Sequence, residues 1–343
     1  MKQTLGSRRL RVISIGVVLV MISLWGSGTL WAGISGTRLN GITYYSLRDV
    51  AGRLGMQYAN SHEKKNVYLR SRWSDLSFTA DRRKFFLNNL KLFLGNAIAL
   101  HRGTLYISQR DYEKTLSPIL TPQIFANAPK LYRIVIDPGH GGKDPGAQNK
   151  ALGLDEKALA LDVSKRLRQK LRSFGYDVHL TRDKDVYVGL QKRTQFANRI
   201  KADLFISVHF NAIKDTKVRG VECFTFTPPY QPSSHRDKLH ASDKKFYPAN
   251  RNDTWNQLAG YALQRALMKD VGGIDRGLKR ARWTVLKELQ CPGVLVELGF
   301  LTHDAEARLI RQADYRKQLV NAVTQGVLVY QKALNRIRAR QQG

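Results

Sequence analysis

Cysteine is almost absent from this 343-residue chain, which has only Cys223 and Cys291. Two thiols allow at most one disulfide and exclude both a zinc ribbon and a disulfide-built scaffold. Both lie near strand-like runs, and two buried free thiols are the simpler expectation. Acidic residues are scarce too, 27 against 57 Lys and Arg, for a formal charge of +30. Residues 1–130 hold 19 basic and 6 acidic side chains and the remainder 38 and 21, so the excess is not a basic tail. A field of that sign favours polyanions: nucleic acid, anionic lipid or an acidic wall polymer. No aromatic-and-basic recognition motif accompanies the charge, which argues against nucleic acid. Internal repeats and low-complexity tracts are missing, and so are the HExxH and HxxEH spacings of local zinc-protease helices. The apolar share, 43%, is ordinary and enough for a sizeable core.

Long hydrophobic runs are confined to the N-terminus. Lys2, Arg8, Arg9 and Arg11 precede an uncharged apolar stretch over residues 12–26, followed by the small residues Ser27, Gly28 and Thr29. That is the layout of an export signal. Leu30-Trp31-Ala32 matches a small-x-small cleavage site poorly, and the uncharged stretch continues to Thr37, long enough for the about 20 residues that span a bilayer. Residues 1–32 are therefore read as a signal peptide or a retained N-terminal anchor, the second giving a membrane tether. Either way the bulk of the chain is expected outside the cytoplasm, in the periplasm or cell envelope.

Residues 36–120 read as a small α+β accessory domain of short strands separated by turn residues. The runs "LNGITYYSLRDVAGRLG" and "RGTLYIS" resemble the N-terminal domain type first described in copper amine oxidases. The resemblance implies no copper chemistry. His62 and His101 stand alone and are read as surface residues. Residues 121–132, with Pro122 and Pro129, read as a linker. Over residues 133–335, apolar runs at 134–136, 204–208, 221–227 and 294–296 alternate with helical stretches at 155–174, 256–268 and 315–334. This is the signature of an α/β domain with an open, mostly parallel (mixed) twisted sheet flanked by helices.

Three of these apolar runs end in ionisable residues. "RIVIDPGHGG" presents His140, "DLFISVHFNA" delivers His209 and "GVLVELGF" delivers Glu297. Ligands of open α/β sheets bind in the crevice beyond the strand ends, so three such endings suggest a shared site. Singly, each has a plainer reading: a turn histidine, a satisfied core histidine, a carboxylate paired with a basic neighbour. The fourth group is helical. From Glu156, the apolar residues Leu159, Val163, Leu167 and Leu171 follow at steps of three or four, a stripe centred on Glu156 itself. A carboxylate on an apolar face is costly without compensation. Either the free amides of its own first turn hold it, or it binds a metal. Two histidines, a glutamate and a water form a known catalytic zinc set.

"VIDPGHGGKDPGA", "LDEKALALD", "LTRDKDVYVGLQKRTQFAN", "ADLFISVHFNA", "GVECFTF", "DRGLK" and "CPGVLVELGFLTH" occur in that order. In these motifs the chain resembles the zinc-dependent N-acetylmuramoyl-L-alanine amidases of the cell-wall-remodelling type. The resemblance implies one Zn2+ held by His140, Glu156 and His209, Glu297 as acid/base, and peptidoglycan as substrate. Arg276 and Asn211 are expected to contact the stem peptide or glycan, and Arg182 and Arg193 to serve the fold. His179 is read as packing, and His235 and His240 as solvated loop residues. Phe210, where relatives commonly have a smaller residue, is expected to narrow the cleft; His303 is either a neutral loop substitution or a substrate contact.

Some relatives carry a helical insertion that places a glutamate on the zinc until an activator removes it. Here no Glu occurs between Glu222 and Glu288, and Pro228, Pro229 and Pro232 oppose a helix at the start of the corresponding stretch. The expected site is open and needs no activator. Two other functions remain: a non-catalytic peptidoglycan-binding protein, and a zinc peptidase acting within stem peptides. In each case the basic surface would hold the acidic wall, with the accessory domain adding affinity by tethering.

Overall fold

Two kinds of strand occur in this chain, and both enter one eleven-stranded sheet. The computed structural model describes residues 33–342, so the reading of residues 1–32 as signal or anchor lies outside them. Among the described residues no helix is long and apolar enough to cross a membrane.

The first kind alternates. In β1 (Gln57–Asn60), β2 (Asn66–Arg70), β3 (Asp75–Thr79), β4 (Lys84–Leu87) and β5 (Leu90–Phe93), exposed or half-buried residues interleave with apolar ones that pack into the core. Alternation suits an antiparallel sheet with one solvated face, and these five form such a meander. Asn88 and Asn89 both take positive φ, 51° and 63°, the requirement of the two-residue turn that joins β4 to β5.

The second kind is apolar along most of its length: β6 (Arg133–Pro138), β8 (Leu204–Asn211), β9 (Val221–Phe226) and β11 (Gly293–Phe300) are buried on both faces. With β7 (Asp177–Leu180) and β10 (Asp275–Ala281) they complete the order β7-β6-β8-β11-β9-β10-β5-β4-β3-β2-β1. Strands β7, β6, β8 and β11 run parallel; β9 opposes β11, and β10 and β5 run with β9. The pair Leu278↔Leu92 joins β10 to β5, and the Asp275 carboxylate accepts from the Lys91 amide at 2.6 Å. A separate four-stranded sheet is built from Thr37–Leu39, Ile42–Ser46, Thr104–Ser108 and Ala99–His101.

Helix α1 (Leu47–Arg53) is capped by the Ser46 hydroxyl, which accepts from the Asp49 amide at 3.0 Å. Helices α2 (Glu156–Arg172), α4 (Asp253–Asp270) and α6 (Ala313–Gln342) share one core with β6, β8 and β9. The predicted stripe Leu159, Val163, Leu167 and Leu171 is buried in it beside Ile134, Ile206 and Val208. Each such side chain contributes about 1.5–3 kcal/mol on burial. The same core takes in Leu69, Phe78 and Leu92 from the meander. Helix α3 (Leu190–Arg199) covers the opposite face, where Ala197 meets Phe205, Phe224 and Leu286.

Residues 121–132 lie against α6: Arg338 donates to the Pro129 carbonyl at 2.8 Å, Gln331 to that of Leu131 at 3.3 Å, and Leu131 is buried. Cys223 and Cys291 are both buried and unpaired. Burial pushes the Cys291 thiol up to about 12, with the Asp203 charge adding to it, so it is an inert packing group.

Candidate active site

His140 follows β6 in a turn that an ordinary residue adopts at a cost. Its φ is +59°, in the left-handed region. Two buried arginines hold that turn by its carbonyls. Arg182 donates to Pro138 and Gly139 at 3.0 and 2.6 Å, and Arg193 donates to Pro138 and His140 at 2.7 and 2.8 Å. Arg193 also pairs with Asp137 at 2.8 Å. Gly139 leaves room for a neighbour, since a Cβ there would stand 2.4 Å from the His209 ring.

His209 lies near the end of β8, and the two imidazoles meet edge to face at 5.1 Å. Between them stands Glu156, the first residue of α2. Its Oε1 is 2.9 Å from His209 Nδ1, and its Oε2 is 3.1 Å from His140 Nε2. The amides that bind this carboxylate belong to Phe210 and Ala147, at 3.0 and 2.8 Å, so other elements hold it rather than its own helix turn. One ligand atom from each of the three residues lies within 4.8 Å of the others, a group that could hold a metal ion. Burial works against the Glu156 charge, yet the two imidazoles outweigh it and hold the carboxyl well below its ordinary range. Burial likewise disfavours a charged His140, but Glu156 and Asp144 together raise its proton affinity.

The outer nitrogen of each ring is also engaged. His140 Nδ1 is 2.9 Å from Asp144 Oδ2. His209 Nε2 is 3.1 Å from Ser207 Oγ, which donates to Asp137 Oδ2 at 2.8 Å. Both contacts orient the rings from behind, as partners of metal-binding histidines do.

Glu297 stands in β11, opposite His209 on one side and opposite Glu222 of β9 on the other. Its Oε2 is buried without a hydrogen-bond partner, so no basic neighbour closes it off. Burial first, then the charges of Glu156 and Glu222, push its pKa well above the carboxylate range, with Lys279 opposing. Glu222 was not singled out by the sequence reading, though it stands in "GVECFTF". Asn211 Nδ2 and Arg276 Nε each donate to it at 2.9 Å, and Lys279 Nζ does so as well. The Arg276 guanidinium also lies 4.9 Å from the Phe300 ring centre. Asn211 and Arg276, expected at the substrate, are thus both turned onto a carboxylate in the wall beside Glu297.

Three smaller expectations change. The Phe210 ring is fully buried in the core and narrows no cleft, because residues 209 and 210 of a strand face opposite ways. His179 is not packed: it is half-exposed on the edge strand β7, with Nε2 2.7 Å from Asp177 Oδ1. His303 caps α5 (Asp304–Arg311), its Nδ1 accepting from the Glu306 amide at 3.2 Å. His235 and His240 are exposed, as read.

The stretch after β9 leaves from the strand end opposite the site, since β9 runs against β11 and Glu222 marks its near end. It begins without a helix and holds the short 3-10 turns Ala241–Lys244 and Pro248–Asn252. Its acidic side chains are engaged locally: Asp237 with Arg83, Asp243 with Arg236 and Arg282, and Asp253 with Lys114.

Comparison with known proteins identifies the family. The family model described as N-acetylmuramoyl-L-alanine amidase matches residues 134–329. The chain is 31% identical over 220 residues to the N-acetylmuramoyl-L-alanine amidase AmiA of Escherichia coli K12, covering 57% of this chain and 75% of that protein. It is 33% identical over 197 residues to the N-acetylmuramoyl-L-alanine amidase LytC of Bacillus subtilis 168, covering 57% of this chain and 35% of that one. The crystal structure of an N-acetylmuramoyl-L-alanine amidase from Clostridium difficile 630 shares 31% identity and a TM-score of 0.49, covering 59% of this chain and 97% of that chain.

Proposed function

Since the chain belongs to the N-acetylmuramoyl-L-alanine amidase family, we propose that it is a zinc enzyme that hydrolyses the amide between N-acetylmuramic acid and L-alanine in peptidoglycan. His140, Glu156 and His209 are its metal ligands and Glu297 its acid/base. The observation that carries this reading is the convergence of two imidazoles and a helix-borne carboxylate from three separate elements, with an unpartnered buried carboxyl oxygen on the neighbouring strand.

The donor set suits zinc. One imidazole nitrogen from each histidine and one Glu156 oxygen lie within 4.8 Å of one another, and two histidines with a glutamate would hold a catalytic zinc. When bound, the ion supplies an acidified water and a polarised amide carbonyl. The chain's own residues do the rest. Asp144 accepts the Nδ1 proton of His140, which leaves Nε2 as the donor atom, and Ser207 accepts the Nε2 proton of His209, which leaves Nδ1. The two buried arginines keep the His140 turn in place. Glu297 takes a proton from the attacking water and returns it to the departing alanine nitrogen. Burial raises its proton affinity above that of an ordinary carboxylate, which favours the second half of that cycle, holding the proton for the departing nitrogen. Arg276 and Asn211 line the adjoining wall, where a stem carboxylate or a glycan hydroxyl would meet them.

The engagement of Asp237, Asp243 and Asp253 away from the site supports an enzyme that is active without an activator. A wall substrate and the basic N-terminal leader both support a location in the cell envelope, exported or anchored. Digestion of purified sacculi with mass spectrometry tests the reading. The expected products are intact stem peptides with a free L-alanine amino terminus, formed by a protein holding one zinc. Cuts within the stems would make it a peptidase; binding without products would make it a wall-binding protein.

A further inference from the structure

Residues directly opposite one another on neighbouring strands share a sheet face. From the catalytic residues that face can be followed outward. His209 stands beside Glu297, and Glu297 beside Glu222. Two residues along β9, Phe224 stands beside Lys279, whose ammonium lies 5.7 Å from the ring centres of both Phe224 and Phe93. Because Leu278 pairs with Leu92, their neighbours Lys279 and Phe93 turn to this same side. Next come Lys84 opposite Phe93 and Phe86 opposite Lys91. Ser77 follows opposite Phe86, and Tyr68 opposite Ser77. On β2 to β5 the reverse side is the buried core and this side is half-buried or exposed, whereas on β9 and β11 the same side, with Phe224, Glu222 and Glu297, is buried. Six strand spacings of about 4.8 Å separate β11 from β2, so the face extends roughly 29 Å from the catalytic carboxylate.

Its chemistry is one-sided. Strands β1 to β5 contain three basic residues, Arg70, Lys84 and Lys91, and a single acidic one, Asp75, which Arg70 contacts at 3.2 Å. The cations sit over rings: Lys84 is 5.8 Å from the centre of Phe86 and Arg70 is 5.4 Å from that of Tyr68. Rings offer flat apolar contact to the CH face of a sugar, and the ammonium and guanidinium groups at their edges offer partners for carboxylates.

We infer that the outer face of β2 to β5 is a binding platform for an acidic glycan–peptide strand, the polymer whose amide the neighbouring site cleaves. The identity of that polymer rests on the amidase reading above. Two observations favour this occupant: the platform lies on the same face of the same sheet as Glu297 and His209, and its charge is opposite to that of carboxylate-bearing stems. The platform is fixed in register to the site, because β5 pairs with β10 and the Lys91 amide is bound by Asp275. It therefore aligns a long strand with the cleft, which a module on a loose linker would not do.

The test uses the full chain with both charges reversed, Arg70→Glu with Lys84→Glu, and a neutral version, Arg70→Gln with Lys84→Gln. Co-sedimentation with intact sacculi and amide cleavage in sacculi are compared with cleavage of a single soluble disaccharide–peptide unit. The charge-reversed protein is expected to lose about tenfold in sacculus binding and cleavage. Cleavage of the soluble unit stays within about twofold, because that unit is too short to reach β4. The neutral version falls between. Equal losses on both substrates, or no loss on either, would overturn the platform. If the wild-type protein leaves the soluble amide intact, the amidase reading fails instead, and co-sedimentation still decides the platform.

Discussion

Strands β6, β8 and β11 are apolar on both faces and lead into His140, His209 and Glu297, whereas β2 to β5 are apolar on one face only and run into turns. The two halves share a sheet and a core, yet one half performs chemistry and the other presents a surface. What covers them accounts for the difference. Helices on both sides of β6, β8 and β11 exclude water along the strands, so ionisable groups gather at the strand ends, where desolvation raises Glu297 and opposes the Glu156 charge. The meander has its core on one side only, with Phe78 and Phe85 in it, and its cations stay on the other with Tyr68, Phe86 and Phe93.

The largest expected effect lies in the chemical half. Glu297→Gln should cut the rate of amide hydrolysis by about 10²–10⁴, with zinc content and sacculus binding unchanged. Retained activity would remove the acid/base from this strand end. Next is the far half's share of the core: Phe78→Ala, which removes a fully buried ring stacked 5.1 Å from Phe85, should cost about 3–5 kcal/mol. Calorimetry should show one transition at a lower temperature, because both halves share one core; two resolved transitions would make the halves independent. A smaller effect is expected from Asp144→Asn behind His140, a drop in zinc affinity of about 10–100-fold in chelator competition. The meander's stability should not change.

The smallest effect concerns pH. Glu222→Gln removes a negative neighbour of Glu297 and leaves Lys279 closer to uncompensated, and both changes lower the proton affinity of Glu297. The acid limb of kcat/KM should therefore move to lower pH, by up to roughly one unit. A limb that moves upward would show that Glu222 acts on the site in some other way.

Much of the site could be read before folding was considered. The stripe behind Glu156 placed that carboxylate on a buried face, and the endings of three apolar runs named the other groups. Glu222 escaped because it opens an apolar run instead of closing one. Its role arises from cross-strand pairing with Glu297 and from Arg276 and Lys279 on a strand that periodicity conceals: β10, "DRGLKRA", has four charged residues in seven. Those charges are accommodated by partners distant in sequence, such as the Lys114 carbonyl that accepts from buried Arg280. No local pattern reports that. For the same reason Asn211 and Arg276 could be assigned to the cleft but not to the carboxylate they hold.

Composition and periodicity alone determined the excess of positive charge, the helix that carries Glu156, the alternation of the meander and the absence of a glutamate from the stretch after β9. These are properties of neighbouring residues and need no partner. That the meander continues the catalytic sheet, and that its open side is the side of the sheet that carries Glu297, was decided only by tertiary structure. Strand pairing is a choice among distant segments, set here by Leu278 meeting Leu92 and by Asp275 binding the Lys91 amide, and one strand's side-chain pattern does not specify which edge it will join.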